Sequence, residues 1–485
     1  MSFGEYGVVA LGLYLAVLAS VAEIARRSRR DATPSDHFLA GRDLGVFVLF
    51  LTLYATAYSG NSLLGYPGRA WRAGFPFVMS TGFMMSIIVL FHALAPKLQP
   101  IAEREGFVTP GDWVRHRFAG ERAARALAIA VGILMVIALA NFLMAQLQAM
   151  GTMTGRVTDG IVPHAAGVIG LAFVILLYES LGGMRAVAWT DSGQGVLMLF
   201  GLIALLVWLM GDGGGLARVT ERVAEIRPEA VAVPDAITCV NWFSTIALLG
   251  FGSILYPQAI QRIFAARSRR VLQRSFAIMT FMPLTTTLVV TLIGIAAIAR
   301  IDPGAGVTSD EVMPVLLGEW AEDGGVKMFA AILVFIGALA AIMSTADSCL
   351  LSLGSLAVGD ILGRPRGDEA TTRLGKWIAA GVLFAMVPIA IQRDLTLWRL
   401  IELKMELLVQ CVPAFLVAMH WRGLRAAPTL AGLIVGTAIA AAATLSGVKT
   451  VYGVHTGILA LLVNLLIAVG ASWASAPRAS VSSSR

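Results

Sequence analysis

Thirteen long apolar runs constrain this chain more than any other feature. A lipid core about 30 Å thick takes about 20 apolar residues in a helix. Such runs lie at about 6–25 (span 0), 44–67 (span 1), 75–95 (span 2), 123–153 (span 3) and 163–181 (span 4). They continue at about 187–210 (span 5), 239–260 (span 6), 272–299 (span 7) and 327–361 (span 8). The last four are at about 374–391 (span 9), 396–419 (span 10), 428–446 (span 11) and 452–473 (span 12). None shows the two-residue alternation of a membrane barrel strand. Of 485 residues 57% are hydrophobic and 14% charged, against about 45–50% and 25% in soluble domains. Such a chain needs lipid as its solvent. The expected fold is an all-α polytopic membrane protein, one domain over residues 1–475 with a short disordered cytoplasmic tail at 476–485.

Arginine sets the expected orientation. Arg26, Arg27, Arg29 and Arg30 follow span 0, and Arg104, Arg115, Arg117, Arg122 and Arg125 join spans 2 and 3. Arg262, Arg267, Arg269, Arg270 and Arg274 join spans 6 and 7; Arg364, Arg366, Arg373 and Lys376 join spans 8 and 9. All these connections share one side, which holds roughly 25 basic residues against roughly 10 opposite. That side is expected to be cytoplasmic, with the N-terminus outside, the C-terminus inside and the protein in a bacterial inner membrane. The net charge of +7 follows from this asymmetry and calls for no nucleic-acid partner. The basic cluster after span 0 is the reverse of a secretory signal. Cys239, Cys349 and Cys411 make no disulfide framework or metal-ligand spacing. No catalytic or nucleotide-binding motif is present, so an enzyme is not expected.

Two spans carry polar and helix-breaking interruptions. Span 1 contains Ala55-Thr56-Ala57-Tyr58-Ser59-Gly60-Asn61-Ser62 and then Gly65-Tyr66-Pro67-Gly68; span 6 contains Gly250-Phe251-Gly252-Ser253 and then Tyr256-Pro257-Gln258. They lie five spans apart and so run in opposite directions, as an inverted repeat of spans 1–5 and 6–10 requires. Irregular backbone is tolerated at membrane depth where it lines a cavity or is buried in protein; ordinary Gly and Pro kinks are the alternative. The expected breaks are near Tyr58–Gly60 and Gly250–Ser253, with span 8 passing the first.

Several segments resemble the sodium:solute symporter family. Tyr178-Glu179-Ser180-Leu181-Gly182-Gly183-Met184-Arg185-Ala186-Val187-Ala188-Trp189-Thr190-Asp191 is similar to its signature joining spans 4 and 5. Ala340-Ala341-Ile342-Met343-Ser344-Thr345-Ala346-Asp347-Ser348 resembles its span 8 signature. Pro257-Gln258-Ala259-Ile260-Gln261-Arg262, running into Ala265-Ala266-Arg267-Ser268, resembles its segment between spans 6 and 7. Tyr58-Ser59-Gly60 with Gly65-Tyr66-Pro67-Gly68 is similar to the sodium/proline branch. The resemblance implies a leucine-transporter-type inverted repeat with about thirteen helices and interrupted spans 1 and 6. It also implies coupling of sodium entry to uptake of a small organic solute. A proton-driven symporter on the same scaffold and a non-transporting membrane sensor are the alternatives.

A sodium ion at membrane depth needs protein oxygens in place of its water. The family's ligands match Ala55, Tyr58, Ala341, Ser344 and Thr345, the first three through carbonyls. The two hydroxyls could instead bond back to their own helix. A possible second cation position matches Asp191, Ser344, Asp347 and Ser348, with Asp347 replacing a hydroxyl. Ala57 stands where the sodium/proline branch has an aspartate, which argues against proline. Ser59, Asn61, Ser253, Gln258 and Lys404 are candidates to line a solute site. Lys404 sits roughly 12 Å below the start of span 10, about 200° around the helix from Glu402 and from Glu406. It is expected to snorkel, to pair with an acid on another span, or to attract a solute carboxylate. Gly432 and Gly436 read as a helix-packing pair.

Overall fold

The computed structural model describes residues 2–27, 42, 44–302, 304–364 and 369–475; the side chains of 21, 22, 24–27, 55, 56 and 178–195 are not among those described. The 476–485 tail also lies outside the described residues. Nearly all the described chain is helical, and its one two-stranded sheet is the short hairpin Thr450–Val451 with Val454–His455. Nine described helices are long and apolar enough to cross a membrane, or ten counting a pair bent at Asp212–Leu216. Spans 1 and 10 are interrupted and the described part of span 4 is short, so none of these three enters that count on its own.

Spans 1 and 6 are both interrupted and lie antiparallel. The Leu44 amide before span 1 donates to the Ala265 carbonyl at the end of span 6 (3.3 Å), and the Arg267 amide donates back to Leu44 (3.2 Å). At the other end, Gly74 after span 1 meets Ala230, just before span 6. Gly74 has φ +70°, and a Cβ there would lie 2.3 Å from the Ala230 carbonyl oxygen, so only glycine suits both the turn and the approach.

Span 1 runs as Val46–Ala57, stops at Tyr58 and Ser59, and resumes through a wide turn at Asn61–Gly65 into Tyr66–Ala73. Span 6 runs as Ala236–Ser253 and restarts as Pro257–Ala265. Its break falls at Ile254–Tyr256, a few residues beyond the expected Gly250–Ser253. Pro257 sets the position: it lacks an N–H and disfavours helical backbone at the residue before it. The glycines serve packing instead. A Cβ on Gly250 would lie 2.4 Å from Ser86 Oγ of span 2, and one on Gly252 2.8 Å from Met405 Sδ of span 10.

Helical backbone extends from His164 to Asp212 across the expected spans 4 and 5. The first part follows span 9 in reverse: His164 bonds the Ala390 carbonyl and Phe173 meets Phe384 edge-on. The second part follows span 8 in reverse, with Met198 against Gly337 and Gly201 against Val334. Spans 8 and 9 are consecutive and antiparallel, touching at Gly354 and Gly375. The two parts therefore run in opposite directions, as two spans do.

Span 8, Gly325–Leu356, is buried continuously from Gly337 onward and forms the centre of the bundle. On the arginine-rich face its extension ends at Asp360, which accepts from Thr109, from the Gly111 amide (3.0 Å) and from Arg115 (2.8 Å). On the opposite face Glu311 pairs with Arg156 (3.0 Å) and Arg393 (3.3 Å). Gly432 and Gly436 let span 11 close on Asn464 and Ala460 of span 12, as the packing-pair reading expects.

Candidate functional site

The break in span 1 frees backbone oxygen beside span 8. In an unbroken helix the Ser62 amide would bond the Tyr58 carbonyl. Here it bonds Ser59 (2.9 Å), and Tyr58 takes φ −105°, ψ 92°. The Tyr58 ring is fully buried; its hydroxyl shares a hydrogen bond with Thr287 of span 7 (3.1 Å), and Tyr54 does the same with Thr286 (2.8 Å). Gly60 is held from span 3, its amide donating to Gln146 Oε1 (3.0 Å). A Cβ on Gly60 would lie 2.8 Å from both Ala149 Cβ and Ile342 Cγ1. Span 8 thus passes the break at the level of Ile342, between Ala341 and Ser344.

Ala341, Ser344 and Thr345 are all buried. Ser344 does not bond back to its helix: its buried Oγ has no hydrogen-bond partner among the described residues. A hydroxyl left so is costly in an apolar interior unless something polar meets it. With the freed Tyr58 carbonyl it fits the oxygen set that a hard cation needs. Ala55 lies in the last turn of the first half-helix, and its side chain is not described.

The second cation set is brought together only in part. Ser348 Oγ donates to the Ser344 carbonyl (2.8 Å) and accepts from Arg262 Nη2 (2.7 Å). Arg262, on the second half of span 6, is fully buried and also donates to Thr52 Oγ1 (2.9 Å) and the Gln258 carbonyl (3.2 Å). Asp347 is buried on the same helix. The Asp191 side chain lies outside the described residues. Sequence reading counted Arg262 among the basic residues of the connection between spans 6 and 7; the structure instead buries it within the helix Pro257–Ala265. Its signal was a cation beside Gln258 and Gln261 in the helix after Pro257, but the hydroxyls of Thr52 and Ser348 that it binds are remote in sequence.

A cavity opens between the two breaks. Ser59, Asn61, Ser62, Ser253, Tyr256 and Lys404 supply its polar wall. Met84, Ile87, Phe91, Met279, Met282 and Met405 supply much of the apolar one. Both amide atoms of Asn61 are buried without a hydrogen-bond partner among the described residues. Gln258 is equally buried and its amide atoms also lack partners among the described residues, but it lies beyond the break and outside the cavity lining. Ser253 Oγ points to Met405 Sδ (3.6 Å).

Lys404 does not snorkel. It is 1% exposed, and its Nζ lies 3.3 Å from the ring centroid of Phe142 and 5.5 Å from that of Tyr256. Phe142 and Tyr256 stack on each other at 5.2 Å, joining span 3 to the span 6 break. Among the described residues no carboxylate pairs with Lys404. Glu402 and Glu406, on the other face, are both taken by Arg399 (3.1 and 2.8 Å).

Comparison with known proteins agrees with this geometry. Residues 37–436 match the model of the sodium:solute symporter family. The chain is 25% identical over 470 residues to the sodium/pantothenate symporter of Escherichia coli K12, covering 95% of this chain and 94% of that protein. It is 25% identical over 426 residues to sodium/proline symporter 2 of Staphylococcus saprophyticus, covering 84% and 80%. Among solved structures, a Na+-coupled sialic acid symporter in a substrate-bound outward-open state superposes with a TM-score of 0.77 at 16% identity, over 97% of this chain and 98% of that one. MhsT in complex with L-phenylalanine gives a TM-score of 0.54 at 13% identity, over 87% and 98%. The fold is that of the leucine-transporter class, with spans 1 and 6 interrupted as expected. The chain belongs to the sodium:solute symporter family: it is a membrane transporter, not an enzyme, and couples sodium to the uptake of a solute.

Proposed function

We propose that the solute is a small carboxylated molecule, and that Lys404 receives its carboxylate. The observation that carries this is the buried Lys404 Nζ in the cavity wall, set against the Phe142 and Tyr256 rings and paired with no carboxylate among the described residues. A cation–π contact stabilises a desolvated ammonium by about 2 kcal/mol, well short of the penalty of several kcal/mol for burying an ion. An anionic solute supplies the missing charge. In the same reading sodium is held by the carbonyls of Ala55, Tyr58 and Ala341 and the hydroxyls of Ser344 and Thr345. Sodium at the span 1 break and solute beside it then fix the same backbone, so each favours the state the other binds.

One sodium per cycle is the simplest stoichiometry. A fixed cation, Arg262, already occupies the Ser348 hydroxyl (2.7 Å), which disfavours a second ion at Asp191, Ser344, Asp347 and Ser348. The chain crosses a bacterial inner membrane thirteen times in this reading, with the arginine-rich face in the cytoplasm and the N-terminus outside.

Uptake into proteoliposomes tests the solute class. A panel of labelled carboxylates, neutral sugars and nucleobases is offered under an inward sodium gradient. A carboxylate is expected to be the best substrate, and Lys404→Gln to weaken it selectively. A neutral sugar as best substrate overturns the proposal.

A further inference from the structure

We infer that the groove between the ends of spans 3 and 8 on the arginine-rich face is a binding site for one anionic phospholipid of the adjoining leaflet.

Three helix ends build the groove. The extension of span 8, Ala357–Ile361, packs on span 3 where a Cβ on Gly132 would lie 3.1 Å from Asp360 Cβ. The short helix Pro110–Arg117 closes the third side, tied to Asp360 through Arg115 (2.8 Å). The space they enclose is about 780 Å³.

Arginines and acids both line it, but they are placed differently. The acids are already engaged. Asp360 accepts from Thr109, Gly111 and Arg115. Asp112 accepts from the Val108 and Thr109 amides (2.8 and 3.0 Å) and from Arg115 (2.7 Å). Glu121 accepts from the Ala426 amide at the start of span 11 (2.7 Å). Arg122, Arg125 and Arg364 are exposed at the rim and, among the described residues, pair with no carboxylate. Each guanidinium offers a planar donor fork that matches phosphate. Two come from the start of span 3 and one from the end of span 8, so one phosphodiester between them meets charge from both walls.

An apolar track continues from the basic rim. Arg125, Ile129, Ile133 and Ile137 recur every four residues, on one face of span 3. Ile129 lines the groove, and Ile133 and Ile137 are 43% and 47% exposed. From Ile129 the track leads about 12 Å into the membrane at 1.5 Å per residue. A soluble phosphate would use the arginines and leave the track bare; a phospholipid uses both. A zwitterionic lipid brings its own cation to three arginines whose neighbouring acids are engaged, so a headgroup of net negative charge fits best.

The test counts bound lipid by native mass spectrometry of the purified full-length protein, delipidated in a non-ionic detergent. The probes are dioleoylphosphatidylglycerol, dioleoylphosphatidylcholine and soluble glycerol 1-phosphate. Phosphatidylglycerol is expected to bind at least about tenfold more tightly than phosphatidylcholine. A basic residue at an anionic lipid surface contributes about a factor of five. Arg122→Gln with Arg125→Gln is therefore expected to weaken phosphatidylglycerol about 25-fold, and Arg364→Gln alone about fivefold. Melting curves in lipid-free detergent are expected to match wild type because these side chains are exposed; Arg364→Gln carries the test if the double variant melts early. Arg218→Gln with Arg222→Gln, in the helix Leu216–Ile226 on the opposite face, removes the same charge and is expected to leave the affinity unchanged. Equal binding of the two lipids, no loss in the groove variants, or an equal loss in the opposite-face pair overturns the inference. Displacement of the lipid by equimolar glycerol 1-phosphate assigns the groove to a free phosphate and also overturns it.

Discussion

Ser344→Ala separates ion binding from folding more cleanly than any other substitution in this chain. The Ser344 hydroxyl is buried and makes no hydrogen bond among the described residues, so its removal withdraws an unsatisfied group, and stability is expected to hold or rise slightly. A sodium ligand is different. A hydrogen-bonding group facing an ion contributes about 1.5–3 kcal/mol, and about 1.4 kcal/mol is one factor of ten. The sodium concentration for half-maximal uptake should therefore rise at least about tenfold, with expression and melting temperature near wild type. Ser348→Ala is the counterpart. It strips Arg262 of one partner and is expected to cost about 1–3 kcal/mol of stability, with a smaller change in sodium dependence. Initial uptake rates in proteoliposomes across a sodium series, with a melting curve for each variant, read out both effects. An unchanged half-maximal sodium concentration in well-expressed Ser344→Ala and Thr345→Ala refutes the assignment.

Lys404→Gln should weaken solute affinity by about 2 kcal/mol or more, the low end for truncating one member of a buried charge pair, while sodium dependence in the absence of solute stays put; binding titrations decide it. Gly60→Ala places a methyl 2.8 Å from Ala149 Cβ and from Ile342 Cγ1, so it should push span 1 off spans 3 and 8 and abolish sodium-coupled uptake more than it lowers membrane expression. Asp310, on the connection before span 8, accepts from the Leu397 amide (3.0 Å), and burial lifts its carboxyl to about 6. The folded state then holds more protons than the unfolded chain between about pH 4 and pH 6. Its contribution to stability is greatest at the acid end and is lost as pH rises through about 6. Glu311 beside it is held down at about 2, chiefly by its bond from Arg156 against the opposing effect of burial, and titrates below that window. The melting temperature of Asp310→Asn should accordingly gain on wild type between pH 5 and pH 7.5; equal slopes would contradict the assignment.

The span 1 break was legible because Tyr58-Ser59-Gly60 puts polar and small residues where an apolar run should continue. The span 6 break was misplaced by a few residues because two glycines and a proline lie close together. The glycines answer to contacts with Ser86 and Met405, which no local pattern shows; the proline alone acts on its own backbone. Lys404 was legible as an anomaly from its depth and helical phase. Its partners Phe142 and Tyr256 were not, since ring contacts between distant spans leave no mark in either one. Gln146 went unremarked for the same reason. Its amide oxygen caps Gly60 from span 3 (3.0 Å), and the sole sequence sign was a polar side chain in a long apolar helix, where it marks function or packing equally well.

The energetics of coupling give the most direct measurement. A tenfold inward sodium gradient supplies about 1.4 kcal/mol, and one charge crossing about 100 mV adds about 2.3 kcal/mol. A neutral solute moving with one sodium could then accumulate about 500-fold. A monoanion moving with one sodium carries no net charge and gains only the chemical gradient, about tenfold. The measurement is accumulation of the best carboxylate in proteoliposomes under a fixed tenfold sodium gradient, with and without an imposed inside-negative potential. The account predicts sodium-dependent accumulation near tenfold that the potential does not alter and that a proton gradient in sodium-free buffer does not replace. Full uptake driven by protons without sodium contradicts the central claim of sodium coupling, and a large rise with voltage contradicts the pairing of one sodium with one anion.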